Sequence, residues 1–176
     1  CEPQYESLFQ NSVKDKECNL RFAQPGRRRQ DSVFNASKLL EDENSLICIH
    51  DSARPLIEAL VVRQVVQTAD NWDAAVIGVK VKSNIKICDG AQVVIDTPDR
   101  ASLWEVQTPQ VIRLSLLKEG FSYVQDHQLT ISDDVTLVEL LGRPVKVVEG
   151  SYANVKVTTP EDLPFVEQLL EKHALL

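Results

Sequence analysis

Short apolar runs of strand length alternate with segments of helical spacing, and this alternation restricts the possible fold more than any other feature. Residues 46–49 and 74–81 have the pattern of strands, and residues 46–49 are expected to be buried. Residues 56–66 and 114–124 repeat apolar side chains at helical spacing. In a chain of 176 residues, such alternation predicts a single three-layer α/β domain with a mainly parallel sheet.

The remaining elements are predicted from shorter patterns. Asp31 or Ser32 is expected to cap a helix through Leu40, and Ser132 to cap another that ends at Gly142. Thr159 to Asp162 has the pattern of a helix start. Further strands are expected at residues 20–22, 144–149 and 155–157, and a short helix at residues 5–9.

A hairpin is expected between residues 85 and 95. Ile85–Cys88 and Ala91–Ile95 flank the dipeptide Asp89-Gly90, which suits a tight turn with positive φ. Two strands alone are marginally stable in water, so another surface must cover them. Packing on its own domain and packing on a second subunit both remain open.

Composition excludes several classes of function. The net charge of −7 argues against a general affinity for nucleic acid or for anionic membranes. The four cysteines have neither a CxxC spacing nor zinc-finger spacing, so we expect reduced thiols, with Cys48 packed in a strand, in an intracellular or stromal compartment. No apolar run approaches the roughly 20 residues of a membrane span. The chain has no methionine and begins at Cys1, so we expect a fragment without its start of translation.

The segment after residues 46–49 is the strongest candidate for a ligand site. In open α/β sheets, ligands bind beyond the carboxyl ends of the strands, which is where Asp51 and Arg54 stand. A carboxylate there can meet a metal or a sugar hydroxyl, and a guanidinium can bind a phosphate. The alternative is an Asp51–Arg54 salt bridge that fixes the loop. His50 is expected to be a hydrogen-bonded structural histidine.

Other polar segments give weaker signals. Gly26 permits close backbone approach before a helix start that favours anions, although a solvated turn with surface arginines is the alternative. Thr108 precedes a proline and is therefore held extended. Lys156 lies in a predicted apolar strand, where an inward side chain could neutralise a phosphate; an ordinary edge lysine is the alternative. Asp133 and Asp134 are expected to serve the helix dipole.

Seven short segments lie in a fixed order along the chain: Arg29-Gln30-Asp31-Ser32-Val33, His50-Asp51-Ser52-Ala53-Arg54-Pro55, Asp99-Arg100, Leu103-Trp104, Gln107-Thr108-Pro109-Gln110, Ser132-Asp133-Asp134 and Asn154-Val155-Lys156-Val157-Thr158-Thr159-Pro160. Together, in this order, they resemble the 2-C-methyl-D-erythritol 4-phosphate cytidylyltransferase family of the non-mevalonate isoprenoid pathway. The resemblance extends over nearly the whole chain. Residues 109–112 and 150–152 are most similar to plant members, which act in the plastid stroma; a bacterial member would be cytoplasmic.

The resemblance implies a fold and a reaction. The fold would be a Rossmann-like nucleotidyltransferase domain over residues 1–176, with a β-hairpin arm at residues 79–102 that clasps a second copy in a homodimer. The reaction would transfer CMP from CTP to 2-C-methyl-D-erythritol 4-phosphate with Mg²⁺. The products would be 4-diphosphocytidyl-2-C-methyl-D-erythritol and pyrophosphate. Because charge builds on oxygens that are already anionic, cations and positioning would supply the catalysis.

The resemblance also assigns roles to single residues. Lys156 and Arg100 would orient the substrate phosphate as catalytic residues, and Arg100 would serve the partner's site. The methylerythritol part would bind Asp51, Ser52, Arg54, Asn84 and Thr108; Asp51 would also be the metal ligand; and Gly26, Arg27 and Ser32 would contact the nucleotide.

Departures from the family pattern leave alternatives open. Nothing in residues 1–19 resembles the family's glycine-rich loop with its arginine and lysine, so the first strand or strands would be missing and the polypeptide made alone is expected to lack transferase activity. Asn84 replaces the family's usual threonine. The alternatives are a cytidylyltransferase for another polyol phosphate such as ribitol 5-phosphate, a non-catalytic truncated fragment, and an α/β domain without chemistry.

Overall fold

The computed structural model describes the backbone of residues 1–174 and the side chains of residues 1–171. The chain forms two compact units, one from residues 1–47 and 112–144, the other from residues 48–111 and 145 onward. The helices are α1 (Glu6–Val13), α2 (Arg29–Ser37), α3 (Ala59–Trp72), α4 (Leu114–Asp126), α5 (Thr136–Leu140) and α6 (Leu163–Ala174). The strands are β1 (Leu46–Ile49), β2 (Ala74–Lys80), β3 (Ile87–Cys88), β4 (Val94–Asp96), β5 (Trp104–Arg113) and β6 (Lys146–Glu149).

The first unit is built on helix α4, whose apolar face is buried. Leu114, Leu117 and Phe121 are almost completely excluded from solvent, as are Leu137 and Val138 of α5. Helix α2 packs against α4 through Phe34, whose ring centroid lies 5.1 Å from that of Phe121. Burial of these large side chains is the main source of the unit's stability.

The second unit contains most of a four-stranded sheet with the strand order β1-β5-β2-β6. β2 is buried except for Lys80, and it pairs in parallel with β6, with Ala75 opposite Lys146. β5 runs antiparallel to β2, because the Val81 N–H donates to the Leu103 carbonyl at 3.3 Å while Gly78 lies beside Glu105. Helix α3 packs on β2 and β6. The α/β class is therefore confirmed, with a mixed sheet.

The predicted hairpin is present in the second unit, but its turn differs from the expectation. β3 and β4 pair antiparallel, and the turn spans Asp89 to Gln92. The positive φ of 64° falls on Gln92 and not on Gly90. The Asp89 carboxylate accepts the N–H groups of Ala91 and Val93, both at 2.9 Å, and so fixes this longer turn.

Two predicted strands are wrong. Residues 20–22 do not form a strand, and the side chains of Leu20 and Phe22 line a cavity of the first unit. Residues 155–157 do not form one either, because the Val157 N–H donates to the Ala53 carbonyl, in a turn, at 2.8 Å.

The burial expected for β1 is also wrong. β1 is present, but it is half-buried and Cys48 is exposed, since it is the first strand in the sheet order. All four cysteines are free thiols, as expected.

Two of the three predicted helix starts are wrong in detail. Helix α2 begins at Arg29, and Asp31 lies inside its first turn, where its carboxylate accepts the Arg28 N–H at 3.1 Å. At α5, Asp133 replaces Ser132 as the residue that accepts the N–H of Thr136, at 3.1 Å. The third start is confirmed, since Thr159 and Asp162 form a reciprocal capping box. Within residues 1–174, no helix is long and apolar enough to cross a membrane.

Candidate active site

The turn after β1 holds one carboxylate between two cations. The Asp51 Oδ2 atom lies 3.0 Å from the Lys156 Nζ atom and 3.5 Å from the Arg54 Nε atom. The side chain of Lys156 is 42% exposed, whereas those of Asp51 and Arg54 are 16% and 13% exposed. Lys156 is therefore the cation that an incoming anion reaches, and Arg54 is largely enclosed.

Backbone hydrogen bonds hold this turn against the segment that carries Lys156. The Arg54 N–H donates to the Asp51 carbonyl at 3.0 Å, which closes the turn. The Arg54 Nη1 atom donates to the Asn154 carbonyl at 2.7 Å. The predicted Asp51–Arg54 contact that fixes the loop is thus present, and Lys156 joins the same carboxylate.

Thr108 and His50 fix the start of the turn. The Asp51 N–H donates to the Thr108 Oγ1 atom at 3.0 Å, and the Thr108 hydroxyl lies 3.1 Å from His50 Nδ1. The other ring nitrogen, Nε2, lies 3.1 Å from the Arg54 carbonyl. A carbonyl only accepts, so Nε2 donates; in a ring with one proton, Nδ1 then accepts from Thr108. His50 is hydrogen-bonded on both sides, as expected for a structural histidine.

The other predicted substrate residues are exposed. Ser52 lies in the same turn as Asp51. Asn84 and Arg100 lie on the arm, and the Arg100 Nη1 atom donates to the Lys82 carbonyl of the same arm at 2.8 Å. The structure therefore brings Asp51, Arg54, Thr108 and Lys156 together, with Ser52 adjacent, and places Arg100 against its own arm.

The base of the arm contacts the loop that leads to Lys156. The Tyr152 hydroxyl donates to the Lys80 carbonyl at 2.6 Å, and the Lys82 ammonium lies 3.4 Å from the centroid of the Tyr152 ring. The Lys80 ammonium lies over the Trp104 ring at 4.1 Å. Cation–π contacts of this kind are favourable at exposed sites. The two Tyr152 contacts connect the arm to the loop at residues 150–156, which the sequence pattern did not predict.

The predicted nucleotide residues belong to the first unit. The Gly26 N–H donates to the Ser32 Oγ atom at 2.9 Å, and a Cβ atom on Gly26 would lie 2.2 Å from that of Asp31. Only glycine fits this close approach. Arg27 is exposed. Arg28 pairs with Asp31 at 2.8 Å, and this hydrogen bond lowers the pKa of the Asp31 carboxyl.

A cavity of about 960 Å³ lies beside these residues, with Pro25 and Ser32 in its wall. Its size suits a nucleotide-sized ligand.

The Arg29–Asp134 pair in the first unit was missed at the sequence level. The Asp134 side chain is fully buried, and Arg29 binds it with two hydrogen bonds of 2.9 and 2.6 Å. Asp134 therefore acts as the buried partner of a guanidinium and not simply as a dipole-balancing acid.

The surroundings of Asp51 do not fit a magnesium ligand. Mg²⁺ is usually bound by one or two carboxylates together with substrate phosphates. The Asp51 carboxylate already pairs with two cations, and a divalent ion there would compete with Lys156. Among the described residues, no group of three histidine, cysteine or acidic side chains is placed to hold a metal.

Comparison with known proteins gives a consistent result. The family described as 2-C-methyl-D-erythritol 4-phosphate cytidylyltransferase matches residues 2–172. The chain is 45% identical to the chloroplastic enzyme of that name from Oryza sativa subsp. japonica over 172 residues, covering 98% of this chain and 58% of the relative. It is 43% identical to the enzyme of that name from Geobacillus thermodenitrificans, covering 95% and 72% of the two chains. The chain thus spans little more than half the length of the rice relative.

The crystal structure of 4-diphosphocytidyl-2C-methyl-D-erythritol synthase from Anaerococcus prevotii is also similar. It matches with a TM-score of 0.88 at 27% identity, over 96% of this chain and 75% of that chain.

Proposed function

Because the chain belongs to the 2-C-methyl-D-erythritol 4-phosphate cytidylyltransferase family, we propose that it transfers CMP from CTP to 2-C-methyl-D-erythritol 4-phosphate. The products are 4-diphosphocytidyl-2-C-methyl-D-erythritol and pyrophosphate, and the reaction serves isoprenoid precursor biosynthesis. The observation that carries the proposal is the accessible Lys156 ammonium, held 3.0 Å from Asp51 at the end of β1.

The exposed fractions of the side chains assign different roles in substrate binding to Lys156, Arg54 and Asp51. Lys156 meets the substrate phosphate, which attacks the α-phosphorus of CTP in line. Arg54 is enclosed, so it supports Asp51, while Asp51 and the neighbouring Ser52 hold hydroxyl groups of the methylerythritol part. Thr108 fixes the backbone of Asp51. Positioned cations are effective here because the reaction develops charge on phosphate oxygens.

The nucleotide and the metal are assigned to other groups. Gly26 and Ser32 share a hydrogen bond and would contact the cytosine, with Arg27 beside them. Mg²⁺ would be bound chiefly by the phosphates of CTP, since the environment of Asp51 disfavours it.

A homodimer is proposed through the arm at residues 79–102. The arm exposes a run of apolar side chains, and exposed contiguous apolar surface marks interaction sites. In such a dimer, Arg100 and Asn84 would contribute to the site of the other copy. The chloroplastic rice relative supports a plastid stroma as the location, and a bacterial source would imply the cytoplasm.

Calorimetric binding of 2-C-methyl-D-erythritol 4-phosphate tests the proposed site. We expect Lys156→Gln to weaken binding at least about tenfold, because a charge-assisted phosphate contact contributes roughly 1.5–3 kcal/mol. Lys118→Gln is the matched control, since Lys118 pairs with Glu43 at 3.6 Å and is similarly exposed. Pyrophosphate release with CTP then tests the chemistry. It is measured on the protein joined to the family's glycine-rich loop, because residues 1–19 lack that loop and the polypeptide alone is expected to be inactive.

Two results would contradict the proposal. One is no binding by the unmodified protein, and the other is equal binding by the Lys156 and Lys118 variants. Ribitol 5-phosphate is included as the competing substrate because of Asn84. Tighter binding of ribitol 5-phosphate would change the assigned substrate but not the assigned site.

A further inference from the structure

Asn154 is the most completely buried polar residue near the Asp51 turn, with only 1% of its surface exposed. Its side-chain Nδ2 atom donates two hydrogen bonds to β5, one to the Gln107 Oε1 atom at 3.1 Å and one to the Thr108 carbonyl at 3.0 Å. The Oδ1 atom is buried and has no hydrogen-bond partner among the described residues. A buried acceptor without a partner costs free energy. The two hydrogen bonds that Nδ2 donates are therefore what holds this side chain in its buried place.

The backbone of Asn154 contacts the cationic site directly. Its carbonyl accepts the 2.7 Å hydrogen bond from Arg54 Nη1. Lys156 lies two residues after Asn154. The residue that follows it, Val157, donates its N–H to the Ala53 carbonyl at 2.8 Å. The position of Asn154 therefore sets the path of the chain on which Lys156 reaches Asp51.

Gln107 also binds the start of the loop at residues 150–156. Its Nε2 atom donates to the Ser151 carbonyl at 3.1 Å, while its Oε1 atom accepts from Asn154. The two buried amides thus bind the loop to β5 at two points. β5 also carries Thr108, whose hydroxyl accepts the Asp51 N–H.

We propose that Asn154 is a positioning residue that holds Lys156 and Arg54 in register with Asp51 and thereby sets the affinity for the phosphorylated substrate. It does so without touching that substrate, because the Asn154 side chain is enclosed. This inference rests on the proposed function for the identity of the ligand. Position 154 requires an amide and not a carboxylate, since the two atoms that face Nδ2 are both hydrogen-bond acceptors.

Binding of 2-C-methyl-D-erythritol 4-phosphate to the protein, measured by calorimetry, is the test. We expect Asn154→Asp and Asn154→Ala to weaken binding at least tenfold at a temperature where circular dichroism shows each variant folded. The matched control is Asn71→Ala, since Asn71 is exposed on α3 and its amide donates within the helix to the Gln67 carbonyl at 3.0 Å. That control should bind within twofold of the unmodified protein.

A double-mutant cycle with Lys156→Gln distinguishes positioning from a general loss of structure. If Asn154 acts through Lys156, then Asn154→Ala will weaken binding much less in the Lys156→Gln background than in the unmodified protein. Equal losses in the two backgrounds, or unchanged binding by folded Asn154 variants, would overturn the inference. Absence of binding by the unmodified protein would instead contradict the proposed function.

Should neither Asn154 variant fold, Asn154→Ser carries the same test, because a serine hydroxyl can donate only one hydrogen bond and so loses at least one of the two bonds to β5. Binding by Asn154→Ser within twofold of the unmodified protein would again overturn the inference.

Discussion

The two cations that share the Asp51 carboxylate differ in accessibility. Lys156 faces solvent, whereas Arg54 is enclosed and bonded to the Asn154 carbonyl. In the proposed site, the enclosed Arg54 guanidinium organises the turn and the accessible Lys156 ammonium binds the substrate phosphate. The Asp51 carboxylate can therefore pair with both cations, because they differ in exposure and in their other partners.

Added volume at Gly150 would reach this site through Gln107. A Cβ atom there would lie 2.2 Å from Ile77 Cγ2 and 2.9 Å from Gln107 Oε1, the acceptor of the Asn154 hydrogen bond. We expect Gly150→Ala to lower the free energy of unfolding by about 1–3 kcal/mol, as overpacking does. Urea denaturation measures this value.

Gly90→Ala is the control, because nothing lies within 4 Å of a Cβ atom at that position. Its effect should stay within roughly 0.5 kcal/mol. Equal effects of the two substitutions would show that the approach of Gly150 to Gln107 is unimportant.

At the scale of elements, the start of helix α6 depends on one carboxylate. Asp162 accepts the N–H groups of Thr158 and Thr159 at 2.8 and 2.9 Å, and these hydrogen bonds lower the pKa of its carboxyl below the ordinary aspartate value. Because the folded pKa lies below the unfolded one, the stabilisation is present above the ordinary pKa. It is lost as the pH falls through the folded value.

Hydrogen exchange at the Thr158 and Thr159 amides tests this cap. We expect protection to persist from neutral pH down to about pH 4 and to fall only at lower pH. In Asp162→Asn, protection at neutral pH should already be weaker and should not change over the acid range. A loss of protection well above pH 4 in the unmodified protein would contradict the assignment.

The elements with strong local signals were predicted, and those that depend on distant partners were not. β2, α3 and α4 follow from apolar spacing alone. Residues 155–157 have the same apolar character, but their hydrogen bonds go to a turn. Likewise, the exposure of β1 depends on its place in the sheet order, which local spacing does not reveal.

The same distinction applies to the site. The contact between Asp51 and Arg54 could be predicted, because the two residues are three apart in a turn. The nearness of Lys156 to Asp51 was predicted only through a family resemblance, and the burial and hydrogen bonds of Asn154 were not predicted. An amide inside an apolar segment was the available signal, but its partners on β5 are distant in sequence.

At the scale of the whole molecule, the arm is the feature that most requires a partner. Ile95 on β4 is 64% exposed, and its apolar neighbours Val93 and Val94 are exposed too. We expect sedimentation velocity to show a dimer, and Ile95→Asp to convert it to a monomer, since a buried unpaired charge is costly.

Leu60→Asp supplies the control for the arm. Leu60 is 60% exposed on α3, outside the arm, so the same change there should leave the dimer intact. A monomeric unmodified protein, or a dimer that survives Ile95→Asp, would contradict the proposed arm interface.

The carboxylate between Lys156 and Arg54 has a consequence for the thermodynamics of ligand capture. Long basic side chains each lose about 1.5–2 kcal/mol of rotamer entropy when they are immobilised. Asp51 restricts both side chains in the folded protein, so a phosphorylated ligand at the proposed site would meet groups that are already partly ordered. Part of the side-chain entropy that ligand binding would otherwise cost is thereby lost during folding instead.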